Sequence, residues 1–196
     1  MAHSAIVLCG GRSTRMGRDK AWLPFGGETL LARVVRLVRL AAEDVVLVAR
    51  EGQALPDDCD RAAVRDSAEG LGPLAGIAVG LRHIAGDRAF VTACDAPFLR
   101  PALIRRLLDL SVGYDAAVPS IDCHAMTTAA VYSRAVADVA DALVAGRRLR
   151  VSDLVARVRA RTVLPEELRD VDPAFESFQN CNTPETYAAA LRHAGF

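Results

Sequence analysis

The segment from Leu8 to Lys20 carries residue types that suit the binding of a polyphosphate. Gly10 and Gly11 permit backbone conformations closed to other residues, and successive amide groups in such a turn form a concave surface that binds anions. Basic side chains fall at four of nine positions, against a single acidic one at Asp19: Arg12, Arg15, Arg18 and Lys20. The segment matches neither GxxxxGK[ST] nor GxGxxG, so a basic surface loop remains an alternative.

Lys20 is the only lysine in the chain. The other 23 of the 24 basic residues are arginines. Lysine and arginine are not interchangeable where a compact point charge must reach a phosphate. The position of the single lysine, inside the Gly-rich segment, therefore strengthens the prediction of a phosphate site.

Asp95 is a candidate metal ligand because it directly follows the apolar run that ends at Ala93. Mg²⁺ takes one or two protein carboxylates and completes its shell with phosphate oxygens and water. A lone aspartate after a strand could equally cap the next helix, so the residue alone leaves both interpretations open.

The composition excludes several other classes of protein. The formal net charge is zero, with 24 basic and 24 acidic residues, which argues against a nucleic-acid-binding domain. No apolar run approaches the ~20 residues of a membrane span, and the N-terminus lacks a basic signal region, so we predict a cytoplasmic protein. The five cysteines are scattered and form no CxxC pair, which predicts buried reduced thiols.

Hydrophobic periodicity predicts strands that alternate with helices in the first 110 residues. The predicted strands are 5–8, 45–49 and 89–93, and the predicted helices are 30–38, 72–84 and a segment starting at Pro101. This alternation predicts parallel strand pairing with helices on both faces of the sheet. The polar segments 9–20, 66–76 and 94–97 follow strands and are expected to converge on one crevice beyond the strand ends.

The second half of the chain has a weaker pattern. We predict strands at 116–119 and 129–132, one of them antiparallel, and helices at 134–145 and 151–159. Thr183 and Pro184 predict an N-cap and first turn of a final helix to about Arg192. Segments 57–60 and 166–173 are predicted surface loops. One domain is expected over residues 1–196, with a nucleotide-binding half to about 110 and an acceptor-binding half from about 111.

Four motifs together resemble one family. The string LCGGRSTRMGRDKAWLPFGGETLL is similar to the signature of the molybdenum cofactor guanylyltransferases. Three further motifs match that family in the same order, at 72–76 (GPLAG), 94–97 (CDAP) and 180–185 (NCNTPE). The matches extend from Ile6 to about Tyr187. Each motif alone is weak, but four in order are specific.

The resemblance implies a three-layer α/β/α, Rossmann-like nucleotidyltransferase fold with a mostly parallel sheet. It also implies a Mg²⁺-dependent reaction that joins GMP from GTP to molybdopterin or Mo-molybdopterin and releases pyrophosphate, with molybdoenzyme maturation proteins as further expected partners. Carried over by position, the implied roles are as follows: Leu8, Cys9, Gly10, Gly11 and Asp66 at the nucleotide, Lys20 on its phosphates, Arg15 in charge neutralisation, Asp95 on Mg²⁺, and Asn180 and Asn182 towards the pterin.

Two alternatives remain. The first is a related transferase: a cytidylyltransferase for the same cofactor, or an enzyme acting on a sugar or alcohol phosphate. The cytidylyltransferases resemble LAAG in the first loop and lack GPLAG, so Gly10 and the segment 72–76 favour guanine. The second is a nucleotide-binding maturation partner without catalysis, which would not need both Lys20 and Asp95.

Overall fold

The structure is a computed structural model that describes residues 3–10, 18–56, 59, 63–66 and 71–196. Its strands are β1 (Ser4–Leu8), β2 (Pro24–Phe25), β3 (Glu28–Thr29), β4 (Asp44–Arg50), β5 (Ala63–Asp66), β6 (Arg88–Ala93), β7 (Ala116–Ile121), β8 (His124–Ala125), β9 (Ala130–Ser133) and β10 (Ala160–Val163). Its α-helices are α1 (Leu30–Arg39), α2 (Gly72–His83), α3 (Pro101–Leu110), α4 (Ala137–Ala145), α5 (Val151–Val155) and α6 (Pro184–His193). Within this described part, no helix has the length and apolarity needed to cross a membrane.

A mostly parallel sheet forms the centre of the molecule, as predicted. Its strand order is β10-β7-β9-β6-β1-β4-β5, with β8 paired to β7. β1 lies between β4 and β6 and is parallel to both, whereas β9 runs antiparallel to β6 and β7. The expected antiparallel strand is therefore β9. β1, the strand that leads into the Gly-rich segment, thus lies beside β6, the strand that leads to Asp95.

Both faces of the sheet are covered, which explains why β1 is apolar at four of its five positions. Ala5 and Val7 pack into the cluster that contains α1 and α3, whereas Ile6 and Leu8 pack into the opposite cluster with α2, α4 and α5. All five residues of β1 are buried. A strand buried on both sides gives a continuous apolar run instead of an alternating one. The predicted α/β/α layering is confirmed.

The helix α2 packs closely on β1 because it carries glycine at position 80. A Cβ atom built on Gly80 would lie 2.7 Å from Ile6 Cγ2 and 2.9 Å from Ile6 Cδ1. Ile6 is fully buried, so its side chain has little room to move away from the added atom. We therefore expect Gly80→Ala to destabilise the protein by about 1–2 kcal/mol, because overpacking outweighs the ~1 kcal/mol gain in helix propensity.

Urea unfolding of this variant checks the contact. The control is Gly27→Ala, where a Cβ atom would meet no atom within 4 Å, and there we expect a change below about 0.5 kcal/mol. A Gly80→Ala protein as stable as the wild type would show that α2 can move away from β1 at little cost.

Two predictions for the second half are corrected by the structure. The helix predicted at 151–159 ends at Val155, and Ala160–Val163 forms an edge strand parallel to β7. The segment predicted as a surface loop at 166–173 is partly buried, since Leu168 and Asp172 have no exposed surface. Asp172 tolerates burial because its carboxylate accepts hydrogen bonds from the backbone amides of Glu176 and Ser177. Of the loop predicted at 57–60, only Cys59 is among the described residues.

A third apolar cluster joins the hairpin of β2 and β3 to the C-terminal helix. It contains Leu23, Phe25, Leu30, Cys181 and Ala190. The Phe25 ring contacts the rings of Phe98 and Phe196 edge to face, with centroids 6.0 Å and 5.7 Å apart. This cluster holds the residues before α6 against the segment that follows Lys20.

Candidate functional site

Three polar side chains from distant parts of the chain meet at one point. Lys20 Nζ donates to Asp95 Oδ2 at 2.6 Å and to Asn182 Oδ1 at 2.8 Å. The ion pair is largely enclosed, with 16% of the Lys20 side chain and 6% of the Asp95 side chain exposed. Of the three segments predicted to converge on one crevice, 9–20 and 94–97 meet through Lys20 and Asp95, and Asn182 joins them. Part of the third segment, 66–76, lies outside the described residues.

Asp95 is positioned by the end of β6. The amide of Cys94 donates to the carbonyl of Leu8 at 3.1 Å, which continues the pairing of β1 and β6 past the last strand residue. The alternative role of Asp95 as a helix cap is not supported, since α3 begins at Pro101 and its N-cap residue is Arg100. The Asp95 carboxylate therefore does not cap the helix; it pairs with Lys20.

Lys20 is presented by the first turn of a short 3₁₀ helix, Lys20–Trp22. Asp19 caps this helix by accepting from the amide of Ala21 at 3.0 Å. Gln53 Nε2 donates to Asp19 Oδ2 at 2.8 Å and to the carbonyl of Cys9 at 3.0 Å. One amide group thus ties the beginning of the Gly-rich segment to its end.

Gln53 is a positioning residue that the sequence did not predict. It is only 6% exposed, its Oε1 accepts from the amide of Arg50, and its carbonyl accepts from Arg65 Nη1 at 2.6 Å. A single glutamine in a short polar segment after a strand carries no motif, so its role is visible only in three dimensions.

Asn182 reaches Lys20 because the chain before α6 is tied to the end of β6. The amide of Cys181 donates to the carbonyl of Asp95 at 2.9 Å. Thr183 then caps α6 with a reciprocal pair of hydrogen bonds to Thr186, which confirms the predicted N-cap. The hydroxyl of Tyr187 also donates to the carbonyl of Pro24. The asparagine is thus anchored on both sides.

Asn180 lines an open cleft of about 550 Å³ between the segment after Asp95 and α6. The other lining residues are Pro97, Phe98, Gln179, Cys181, Thr186, Ala189, Ala190 and His193. The rings of Phe98 and His193 meet edge to face with centroids 5.0 Å apart. The cleft offers aromatic and amide groups, and one of its lining residues, Cys181, donates its amide to the carbonyl of Asp95.

The arrangement fits a divalent cation that binds together with a nucleotide. Asp95 Oδ1 is buried and, among the residues that the structure describes, has no hydrogen-bond partner. A buried carboxylate oxygen in this state is suited to a cation. In the same described part, no three His, Cys, Asp or Glu residues cluster as a metal site, so phosphate oxygens and water would have to supply most of the ligands.

The three thiols around the site, Cys9, Cys94 and Cys181, are buried. Burial raises the pKa of Cys9 and of Cys94 well above the ordinary value, with a further contribution from nearby acidic groups. Burial and the charge of Asp95 raise the pKa of Cys181 to about 11. All three thiols are therefore protonated near neutral pH, so covalent catalysis through cysteine is disfavoured.

The other residues predicted at the nucleotide lie at the ends of β1 and β5. Leu8 and Cys9 are buried, and the amide and carbonyl of Cys9 bond to Val48 and Gln53, whereas Gly10 is exposed. Asp66 ends β5 and pairs in register with Arg50, but its side chain lies outside the described part of the structure. Gly11 and Arg15 also lie outside the described residues, so their predicted roles stay predictions.

Comparison with known proteins gives a consistent set of relatives. The family model described as the MobA-like NTP transferase domain matches residues 5–166. A probable molybdenum cofactor guanylyltransferase of Pelotomaculum thermopropionicum is 34% identical over 95% of this chain and 91% of its own length. A molybdenum cofactor guanylyltransferase of Desulfosudis oleivorans is 33% identical over 94% and 92%. The crystal structure of molybdopterin-guanine dinucleotide biosynthesis protein A from Archaeoglobus fulgidus superposes with a TM-score of 0.86 at 27% identity, covering 98% of both chains.

Proposed function

The chain belongs to the MobA-like NTP transferase family, and from this membership we propose that it transfers GMP from GTP to molybdopterin or its metal-bound form and releases pyrophosphate. The observation that carries the proposal is the meeting of Lys20, Asp95 and Asn182 beside the end of β1. A triphosphate and its metal require a cation, a carboxylate with an unpaired oxygen and a polar amide. Lys20, Asp95 and Asn182 supply these groups.

The reaction that we propose joins two anions. The phosphate of the acceptor attacks the α-phosphorus of GTP in line, the new P–O bond forms, and pyrophosphate leaves with the electrons of the broken bond. No general base is required because the attacking phosphate is already ionised. The task of the protein is to hold like charges together in a fixed geometry.

Each residue of the site has a part in that task. Lys20 would turn from Asp95 to a phosphate oxygen, while Asn182 steadies the ammonium group. Asp95 would hold Mg²⁺, which when bound neutralises charge on the phosphate oxygens. The exposed Gly10 would offer its backbone to the nucleotide, and Arg15 would neutralise charge on the phosphates.

The acceptor would occupy the cleft that Asn180 lines. This cleft adjoins the ion pair through the hydrogen bond between the Cys181 amide and the Asp95 carbonyl. A planar heterocycle with amide-like edges suits a surface that combines the Phe98 ring with an asparagine amide. The acceptor-binding half of the chain would accordingly include residues 180–193.

The compartment and partners belong to the same proposal. All five cysteines are free, which suits the reducing cytoplasm. Molybdoenzyme maturation proteins are expected to receive the product. Nucleic acid is not an expected substrate, because the net charge is zero.

A panel of nucleoside triphosphates tests the activity. The purified protein is incubated with molybdopterin, Mg²⁺ and either GTP, CTP or ATP, and pyrophosphate release is measured. We expect turnover with GTP and at least about a hundredfold less with CTP, because a site built on base-specific hydrogen bonds rejects the wrong base strongly.

The other outcomes separate the alternatives. Turnover with CTP and not GTP would identify a cytidylyltransferase and reject our proposal. Turnover only when a sugar or alcohol phosphate replaces molybdopterin would identify a different acceptor class. Tight GTP binding without pyrophosphate release from any acceptor would indicate a maturation partner that does not catalyse the transfer.

A further inference from the structure

Arg50 is a cation at the nucleotide side of the sheet to which neither the motifs nor the proposed mechanism gives a role. It is the last residue of β4, the strand next to β1, so it lies beside the beginning of the Gly-rich segment. A Cβ atom built on Gly10 would lie 3.3 Å from Arg50 Cγ. The arginine side chain thus passes directly over an exposed glycine of the nucleotide loop.

The backbone of Arg50 is held firmly in place. Its amide donates to Gln53 Oε1 at 3.1 Å, and its carbonyl accepts from the amide of Gln53 at 3.1 Å. The same glutamine holds Cys9 and Asp19. One side chain therefore sets the position of Arg50 relative to both ends of the Gly-rich segment, as a recognition residue requires.

One nitrogen of the Arg50 guanidinium group has no hydrogen-bond partner among the described residues. This nitrogen is the Nε atom, and it is buried. A buried donor left without an acceptor costs free energy, and such groups in native proteins call for an explanation. A ligand that brings acceptor atoms to this point would remove the cost.

The distance across the sheet indicates which part of a nucleotide would reach Arg50. The strand order places β6 with Asp95, then β1, then β4 with Arg50. Neighbouring strands lie about 4.8 Å apart, so the two strand ends are separated by about 10 Å. A nucleotide whose α-phosphate lies at Asp95 would extend its ribose and base towards β4.

We propose that Arg50 reads the base of the nucleotide, by donating from its guanidinium group to O6 and N7 of guanine. Guanine presents two acceptors on this edge, which match the two parallel donors of an arginine fork. Adenine has a donor at the same place as O6, and cytosine has an exocyclic amine, so neither offers the paired acceptors. This inference rests on the proposed function and deepens it by assigning recognition of the O6 and N7 edge of guanine to one residue.

Binding measurements without acceptor test the assignment. Calorimetry with Mg²⁺ compares GTP, ATP and 7-deaza-GTP, the last of which lacks the N7 acceptor. For wild-type protein we expect GTP to bind at least about tenfold more tightly than ATP or 7-deaza-GTP. For Arg50→Met we expect GTP affinity to fall about tenfold to a hundredfold, ATP affinity to change less than about twofold, and the preference for GTP over 7-deaza-GTP to vanish.

Two further variants separate base recognition from a simple charge effect. Arg50→Lys keeps the charge and loses the fork, so we expect it to lose the preference for GTP as Arg50→Met does. Arg82→Met removes an arginine that pairs with Asp138 and Asp141 at the far end of α2, and we expect it to bind all three nucleotides as the wild type does.

Several results would overturn the inference. Equal losses of GTP and ATP affinity in Arg50→Met, together with recovery in Arg50→Lys, would place Arg50 at the phosphates. Equal affinities of the wild type for GTP and 7-deaza-GTP would reject the N7 contact even if no variant folded. In the pyrophosphate assay with the triphosphate panel, turnover of the wild type with CTP and not GTP would instead contradict the proposed guanylyl transfer, so the two failures are distinguishable.

Discussion

Replacing Asp95 with asparagine is expected to lower the rate of pyrophosphate release at least about a hundredfold while leaving the protein folded. Asparagine has nearly the same shape, but it has no negative charge and one of its two polar atoms is a donor. The buried Oδ1, which has no hydrogen-bond partner among the described residues, would no longer be part of a carboxylate. Lys20 keeps Asn182 as a partner and remains partly exposed, so the loss of its counter-ion is cushioned.

Two measurements make this result specific. Pyrophosphate release is followed at saturating GTP over a range of Mg²⁺ concentrations, and Mn²⁺ binding to the GTP complex is followed by electron paramagnetic resonance. We expect both the turnover and the Mn²⁺ signal of the bound complex to be lost in Asp95→Asn. Lost turnover with retained Mn²⁺ binding would show that Asp95 serves Lys20 and does not bind the metal.

A second buried carboxylate provides the matched control. Asp172 has no exposed surface and accepts from the amides of Glu176 and Ser177. Asp172→Asn is expected to lower the free energy of unfolding by about 1–3 kcal/mol, since it weakens two charge-assisted hydrogen bonds and removes the ion pair with Arg100. We expect this variant to retain turnover at low temperature. If Asp95→Asn released pyrophosphate as fast as the wild type, Asp95 would have no part in the mechanism.

The parts of the fold that were predicted correctly are those in which local pattern and tertiary burial agree. β1 is a continuous apolar run because helices cover both faces of the sheet at that strand. In α1, Leu31, Val34 and Val38 recur at helical spacing and are fully buried, while Arg36 on the other face pairs with Glu28. The apolar positions in the sequence of α1 are therefore the positions that pack against the core.

The parts that were missed depend on contacts with residues far away in sequence. Residues 160–163 form a strand because the edge of β7 is free for pairing, although the preceding residues continue a helical pattern. The hairpin of β2 and β3 is too short for periodicity to show, and its turn contains Gly26 at a φ of +66°. Leu168 is buried in the apolar cluster that also contains Leu103 of α3 and Val163 of β10, and Asp172 accepts from the amides of Glu176 and Ser177.

The candidate site shows the same division. Lys20 and Asp95 were found because a unique lysine and a carboxylate after a strand are visible in the sequence. Gln53 was missed because its role consists of three simultaneous hydrogen bonds that carry no motif. Asn182 was expected to face the pterin from resemblance alone, and its hydrogen bond to a lysine 162 residues away is a property of the folded chain.

Lys20 donates to Asn182 and also to Asp95, the carboxylate that would bind the metal. Lys20 Nζ lies 2.6 Å from Asp95 Oδ2, so in the nucleotide-free protein the ammonium group neutralises Asp95. A triphosphate offers the ammonium stronger acceptors and at the same time supplies ligands for Mg²⁺. Metal and nucleotide are therefore expected to bind together and each to strengthen the binding of the other.

Lys20→Met tests this exchange because it should change two affinities in opposite directions. We expect the dissociation constant for GTP to rise about tenfold to a hundredfold, since a hydrogen bond from a charged donor is lost. We expect Mn²⁺ to bind the nucleotide-free variant more tightly than the nucleotide-free wild type, because Asp95 has lost its competing cation. Calorimetry measures the first change and electron paramagnetic resonance the second.

The unique lysine also allows the exchange to be followed in the wild-type protein. An amine-reactive reagent can modify only Lys20 and the N-terminal amine, and peptide mass mapping separates the two. If Lys20 turns to the phosphates, GTP with Mg²⁺ should slow its modification at least about tenfold and leave that of the N-terminal amine unchanged. Equal modification rates with and without GTP, or weaker Mn²⁺ binding in Lys20→Met, would show that the ammonium group stays on Asp95 and that the exchange does not take place.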